Sequence, residues 1–396
     1  QRGAPQHLLA DHASPLDILI ISPDGKQAAT QDLNTIVSHW DLTQGRRIDY
    51  YALYYNSIMS ICFSPDGQTL VSGGSDGAVY LWEMDNRVGL RLLDRLTAHK
   101  HRIFGVALHP DGNLIACAGD SAGIALWERN SGRLVQTLQG HAKNIAMLNF
   151  SPDGKWLASA NGDGTVTLWS MPEGRQQRQL QVHTKTVTCC AFSPSRVDAL
   201  GQPRHMVASG SFDHTLALWD AESGELLHHL RGHTNALGRC LFSHDGQHLI
   251  STSYDETLCI WDVASGERLA TWQQLGAGYI ALAVHPAGQL LAVSCIDYAI
   301  RLLDLSSGRC LAELHGHTLP AISLAFPPTK PLLASAGSDE TIRLWDISSA
   351  ALETVPIGCL YTLQAPTPYA GMKISGVTGI SDVQKAALRA LGAVEE

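Results

Sequence analysis

The sequence predicts an all-β protein in which eight copies of a four-stranded antiparallel sheet stand around one axis. Three observations carry that expectation. Tryptophan recurs at 40, 82, 127, 169, 219, 261 and 345, with Leu303 filling the one gap, at intervals of 42, 45, 42, 50, 42, 42 and 42 residues. A turn recurs in step with it, as "SPDG" at 22–25, 64–67 and 151–154, "HPDG" at 109–112, "SHDG" at 243–246 and "HPAG" at 285–288. No stretch inside the repeated region has the length and 3.6-residue period of a helix.

Residues 145–180 show what one unit contains. "IAMLNF" is a short apolar strand ended by "SPDG", where proline presets the first turn angle and glycine accepts positive φ. "KWLASA" is a second strand, "NGDG" a tight hairpin connection and "TVTLWS" a third strand rich in β-branched and aromatic residues. "MPEG" turns the chain into "RQQRQL", the most polar strand and so the most exposed. Other units mark the last turn with "TQG", "NSG", "ESG", "ASG" or "SSG". The usual four-residue turn is enlarged once, in "SPSRVDALGQPRHM" at 193–206, where Arg196, Pro203 and Arg204 suggest an exposed loop. A single four-stranded sheet cannot cover both of its apolar faces. Radial stacking covers both and leaves only short, protected edges.

The glycine–histidine start, the "SPDG"-type turn and the "LWD"-type ending, as in "GHTNALGRCLFSHDGQHLISTSYDETLCIWD", resemble the WD-repeat β-propeller family over about residues 4–363. The organisation expected is a propeller at 1–363 and a tail at 364–396. Eight tryptophan-position markers favour eight blades, with seven as the alternative. Either "APQHLL" at 4–9 or "CLYTL" at 359–363 completes the last blade.

Histidine, serine and aspartate recur with the indole, which raises the question of a hydrolase triad. Four units hold the complete set: His141, Ser159, Asp163, Trp169; His183, Ser209, Asp213, Trp219; His233, Ser251, Asp255, Trp261; and His317, Ser335, Asp339, Trp345. An enzyme needs one nucleophile in one cleft with one oxyanion hole, and four copies around a ring do not meet that need. The resemblance implies instead a hydrogen-bonded chain from indole to hydroxyl, imidazole and carboxylate. That chain ties the third strand to the loop leading into the blade. The remaining units depart from the set. His12, Thr30, Asn34 and Trp40 form a mild variant, Tyr54 precedes Ser72, Asp76 and Trp82, and Cys117 and Ser121 stand before Trp127. Leu275, Val293 and Leu303 surround Asp297, which leaves that carboxylate as a ligand-facing alternative to simple loss of a redundant clamp. "GGSDG" at 73–77 matches the nucleophile-elbow pattern, but it joins two strands, whereas an elbow leads into a helix.

Functional information is expected in the loops, which a rigid ring presents at its rims. Seven residues before the tryptophan position, neighbouring units carry Phe212, Tyr254 and Ile296. The loops leading into the units beside them carry Lys100, His101, Arg102, Lys143 and Lys185. An apolar-aromatic arc next to a basic arc suits a protein or peptide docking surface.

Bulk properties narrow the classes further. A net charge of −9 with scattered basic residues disfavours nucleic acid, and no apolar run approaches a membrane span. Nine cysteines without a Cys-x-x-Cys, among them Cys62, Cys190, Cys240 and Cys259 in apolar runs, fit buried thiols in a reducing cytoplasm. Neither a metal site nor a cofactor is expected, since histidine and cysteine show no ligand spacing. The start lacks methionine and the charged-then-apolar pattern of a signal peptide, which suggests a piece of a longer polypeptide. In the tail, "SDVQKAALRALGA" reads as a short helix with Ser381 as N-cap and Gly392 past its end. The run "PYAGMKISGVTGISDVQKAALRALGA" resembles the tails of bacterial, often cyanobacterial, WD-repeat proteins. Many of these are joined to an N-terminal NB-ARC or NACHT signal-transduction ATPase. The expected function is therefore non-enzymatic: a protein- or peptide-binding module that senses or regulates within a larger bacterial signalling protein. A free-standing scaffold is the alternative, and a propeller hydrolase the least favoured reading.

Overall fold

The computed structural model describes the backbone of four strands within 16–52. It also describes residues 57–85, 89–97, 101–120, 123–140, 144–194, 196–197, 203–273, 278–348 and 358–364. The chain falls into two compact units, 1–55 and 56–396. In the first unit the strands Leu16–Ile21, Gln27–Asp32, Ile36–Asp41 and Arg46–Ala52 pair in sequence order as one antiparallel sheet.

The second unit contains seven further four-stranded antiparallel sheets, at 58–97, 103–139, 145–181, 187–231, 237–273, 279–314 and 321–364. We number them blades one to seven. Blade three is representative. Ile145–Phe150 pairs with Trp156–Asn161, which pairs with Thr165–Ser170, which pairs with Arg175–Gln181. The third strand is buried along nearly its whole length, whereas only Leu180 of the fourth is buried. Apolar β-branched residues thus fall where both faces are covered, and "RQQRQL" falls at the solvent edge.

Seven apolar clusters lie between the blades, one at each seam. The cluster of Ala116, Ile124, Leu126, Ile145, Leu148 and Trp169 joins blades two and three. The cluster of Ile58, Ile61, Leu70, Trp82, Ala334, Ile342 and Leu344 joins blade seven to blade one. At that closing seam Ile61 N donates to Ser323 Oγ at 3.1 Å, and Ser57 Oγ donates to the carbonyl of Ser338 at 3.3 Å. The ring therefore closes on seven blades, which corrects the expectation of eight. The repeat markers count sheets; closure depends on which apolar faces meet, and those of blades one and seven meet directly. The first repeat forms a sheet in the other compact unit. The last blade takes its outer strand from Cys359–Gln364, which pairs with Thr341–Asp346. "APQHLL" and the helix expected in the tail lie outside the described residues, which hold no helix.

In every ring blade the register between the third and fourth strands shifts at the tryptophan position. Leu168/Trp169, Ile260/Trp261 and even Leu302/Leu303 show it. The bulge turns that side chain toward the preceding blade. Trp169, Trp219 and Trp261 each lie in the cluster shared with the blade before, and Leu303 does the same between blades five and six. The enlarged turn at 193–206 contains a small ribbon in which Arg196–Val197 pairs with Pro203–Arg204.

Truncation should therefore open a cavity at a seam. Trp345 and Leu303 are both 0% exposed. Trp345→Ala is expected to cost about 3–5 kcal/mol and Leu303→Ala about 2–5 kcal/mol in chemical denaturation. Wild-type unfolding midpoints would contradict the packing described.

Candidate functional site

The histidine–serine–aspartate groups assemble in the same way in blades four, five and seven. In blade five Trp261 Nε1 donates to Ser251 Oγ at 2.8 Å, His233 Nε2 lies 2.8 Å from the same oxygen, and His233 Nδ1 lies 3.0 Å from Asp255. In blade seven the corresponding distances are 2.8, 2.7 and 2.9 Å for Trp345, Ser335, His317 and Asp339. In blade four they are 3.2, 2.9 and 3.3 Å for Trp219, Ser209, His183 and Asp213. A carboxylate only accepts, so the imidazole Nδ1–H donates to it, and Nε2 of the neutral ring accepts the serine hydroxyl. The aspartate also accepts the backbone N–H of Thr184, Thr234 or Thr318 in the loop leading into the blade, at 2.8, 2.8 and 3.0 Å. In blade three Trp169 donates to Ser159 at 3.3 Å and Asp163 accepts from Thr165 at 2.6 Å; His141 lies outside the described residues.

This arrangement has the order of a catalytic triad but not its access. Ser209, Ser251 and Ser335 are each 0% exposed, so no acyl carbon can reach the hydroxyl. The close approach also explains the glycine before His233 and before His317. A Cβ at Gly232 would lie 3.2 Å from the far corner of the Trp261 ring and 2.7 Å from Arg268 Nη1.

The incomplete blades satisfy the leftover groups differently. In blade one Tyr80 donates its hydroxyl to Asp76 at 2.7 Å, and Arg95 lies 3.1 Å from the same carboxylate. In blade six Asp297 pairs with Arg301 at 2.7 Å, and Arg301 also reaches Glu313 at 2.9 Å. The sequence left Asp297 open to a ligand; its charge is already balanced within the blade. In blade two Cys117, fully buried, stands where the other blades place a hydroxyl. Ser121 and His99 lie outside the described residues, as do Tyr54 and Leu275.

The rim residues converge on one mouth. Phe212, Tyr254 and Ile296 are 44%, 39% and 44% exposed on blades four, five and six. Phe212 and Tyr254 border a cavity of about 250 Å³ that opens at the end of the central channel. Ile296 adjoins Tyr254 across Gly278, whose Cβ would meet both. The floor is supplied by Met59, Phe104, Ala146, Thr188, Gly238, Ile280 and Ile322, the second residue of the innermost strand in each of the seven blades. These seven recur at intervals of 45, 42, 42, 50, 42 and 42, so the period that marks the tryptophans would have found them. The sequence reading also missed Tyr298 and Leu319, each 42% exposed.

Charge at the mouth comes from Arg239. Its guanidinium borders both the mouth and the channel beneath it. Nη1 contacts Met147 Sδ at 3.4 Å and donates to the carbonyl of Thr188 at 3.3 Å. Among the described residues no carboxylate pairs with it. Of the basic arc expected beside the aromatic one, Arg102 is paired with Asp120 at 3.1 Å, Lys185 is exposed, and Lys100 and Lys143 lie outside the described residues.

A closed ring of four-stranded blades with buried polar clamps and an apolar channel mouth defines a β-propeller of the repeat type. The chain belongs to the WD-repeat family. The profile described as "WD domain, G-beta repeat" matches residues 52–83, 90–128, 132–170, 174–220, 224–262 and 308–346. The unmatched stretch 263–307 holds the first three strands of blade six, which lacks the tryptophan, serine and histidine at the repeated positions yet keeps the same strands. Propellers of this family typically serve as protein-interaction scaffolds. Among curated proteins the chain is similar to a WD repeat-containing protein 26 homolog of Arabidopsis thaliana, at 29% identity over 21% of this chain and 14% of the relative. It is also similar to the small ribosomal subunit protein RACK1 of Medicago sativa, at 29% identity over 21% of this chain and 25% of the relative. RACK1z of Arabidopsis thaliana matches at 30% identity over 20% of this chain and 24% of the relative. The chain thus spans at most about a quarter of the curated relatives it matches. Among the described residues no helix is long and apolar enough to cross a membrane.

Proton binding should reveal the clamps. Burial works to raise the carboxyl of Asp339, but the hydrogen bonds from His317, Thr318 and Thr341 outweigh it and hold it below its ordinary 3.8. Asp213 and Asp255 are held down against burial by the same kind of donors. A depressed carboxyl contributes stability above its unfolded value, and that contribution is lost as pH falls through the folded one. Asp339→Asn should therefore lower Tm at pH 7, and the gap to wild type should narrow as pH falls from 5 to below 3.8. A gap independent of pH would contradict the ionised clamp.

Proposed function

We propose that this protein is a docking module whose channel mouth, on the face carrying Phe212, Tyr254 and Ile296, grips a segment of a partner protein. The supporting observation is the combination found there: exposed aromatic and aliphatic side chains around an apolar floor, with one guanidinium that faces no carboxylate among the described residues. Large apolar side chains give up water favourably on docking, and a half-buried cation rewards a partner that brings an anion. The segment bound is one that places an apolar side chain on the mouth and an acidic group against Arg239. Lys185, exposed on the loop before blade four, extends the positive side of that surface.

The wider setting is a sensing or regulatory module of a larger bacterial signalling protein, acting in the cytoplasm and joined to an effector domain. The support for it is the tail sequence after residue 364. Sequencing upstream of Gln1 tests that setting: an ATPase, protease or kinase domain supports it, and a stop codon replaces it with a free-standing scaffold.

The docking mouth itself is tested by selecting a random peptide library on the protein. Selected peptides should carry Asp or Glu next to an apolar residue. They should bind at least tenfold more weakly to Arg239→Met and to the Phe212→Ala/Tyr254→Ala double variant, as measured by calorimetry, while both variants keep the wild-type Tm within a few degrees. Equal affinity for wild type and both variants removes this surface.

A further inference from the structure

Two of the nine cysteines touch. Cys189 lies on the innermost strand of blade four (Val187–Phe192) and Cys240 on that of blade five (Leu237–Phe242), and their sulfurs are 3.4 Å apart across the seam. Both residues are 0% exposed. All nine cysteines are free, and among the described residues no other two sulfurs lie within bonding reach.

The surroundings hold the pair in place. Cys189 Sγ fills the space left by Gly210, where a Cβ would approach it to 2.9 Å. The two strands are already fastened next to the pair. Thr188 Oγ1 donates across the seam to the carbonyl of Leu237 at 3.0 Å, and Arg239 Nη1 donates back to the carbonyl of Thr188 at 3.3 Å. Shortening the sulfur separation to the ~2.05 Å of a disulfide therefore asks for a small local movement between strands that are already tied together.

The two thiols differ in character. The sulfur–sulfur contact with Cys240 is the largest influence on Cys189 and, with the positive charge of Arg239, draws its pKa down against burial. Cys240 is pushed well up by the same contact and by its burial. One sulfur is thus disposed to attack and its neighbour to follow.

We propose that Cys189 and Cys240 are a peroxide-oxidised pair that forms a disulfide joining blade four to blade five. The Cys189 thiolate attacks one oxygen of hydrogen peroxide, the O–O bond breaks, and hydroxide leaves as Cys189 becomes a sulfenic acid. The Cys240 sulfur then attacks the sulfenic sulfur, and the S–S bond forms as the S–O bond breaks. The two thiol protons and the two departing oxygens leave as two molecules of water, and the two electrons lost by the sulfurs reduce the peroxide. Both sulfurs are buried, so the oxidant must be small and uncharged, as hydrogen peroxide is, and the way in is past Thr188, Leu237 and Arg239, which border the channel mouth.

The test uses the whole folded protein. It is treated with hydrogen peroxide, alkylated under denaturing conditions, digested and mapped by mass spectrometry. The expected result is loss of two of the nine alkylatable thiols, restored by dithiothreitol, with Cys189 joined to Cys240. Cys190 and Cys259 share tryptic peptides with them, so the link should persist in Cys190→Ser and Cys259→Ser and be absent in Cys189→Ser and Cys240→Ser. Nine intact thiols in the wild type, or a link through Cys190 or Cys259, would overturn the proposal. The wild-type map decides the matter even where a serine variant fails to fold.

Discussion

A four-stranded sheet of this sequence has two apolar faces, and each is covered only by the sheet beside it. That constraint organises the ring. Ile124 and Leu126 of blade two are buried by Ile145, Leu148 and Trp169 of blade three, and the same exchange is repeated at each of the seven seams. Removing any sheet would expose two faces at once, so the blades stand or fall with their neighbours. Closure follows from the same term. No strand is shared between blades one and seven; the seam is held by side-chain burial and two hydrogen bonds.

The clamps are built on top of that packing, and their variation obeys a rule of polar burial. Deleting one partner of a buried hydrogen bond leaves the other unsatisfied, whereas replacing both with apolar groups is nearly neutral. Blade six follows the second course: Leu303 stands for the indole and Val293 for the hydroxyl, both fully buried. The carboxylate that remains is charged and cannot be left alone, and Arg301 balances it. Blade one reaches the same end with Tyr80 and Arg95 around Asp76. In blades one and six the carboxylate is balanced without the usual residues, so the histidine–serine–tryptophan set is one way among several to meet the need.

This distinction explains what was legible in the sequence. Periodicity exposed the sheets, their strand order and the indole positions, because each repeat is a local antiparallel meander whose turns announce themselves in "SPDG" and "ESG". The number of blades was not legible, because a repeat marker says that a sheet forms and nothing about which face it meets. The partners of Asp76 and Asp297 were hidden for a related reason. Arg95 is brought in by the register of the fourth strand, which sets it opposite Tyr80. Arg301 stands two before the tryptophan position, where other blades carry Tyr80, Thr167 or Ala217, so no shared residue type marked it. The floor of the channel mouth was present in the period but masked by its residue types. Met59, Phe104, Ala146 and Gly238 share a position without sharing a chemistry.

That last contrast bears on where function resides. Around the ring the clamp positions are constrained by burial, and an error there costs the fold. The hairpin tip between the second and third strands is constrained differently: in blade five the Asp255 carboxylate accepts the backbone N–H of Thr257 and the Asp255 backbone N–H donates to Ser253 Oγ, so the backbone is set by its flanks. The residue between, Tyr254, is left to face outward, as are Phe212 and Ile296 at the same place in their blades. A scaffold that fixes the main chain of a loop without using its side chain makes that side chain available for recognition at little cost to stability. Arg239 is the complementary case, a charge held in the channel by a carbonyl and a thioether. Its bond to Thr188 joins blade five to blade four, so the same guanidinium serves a seam and borders the mouth.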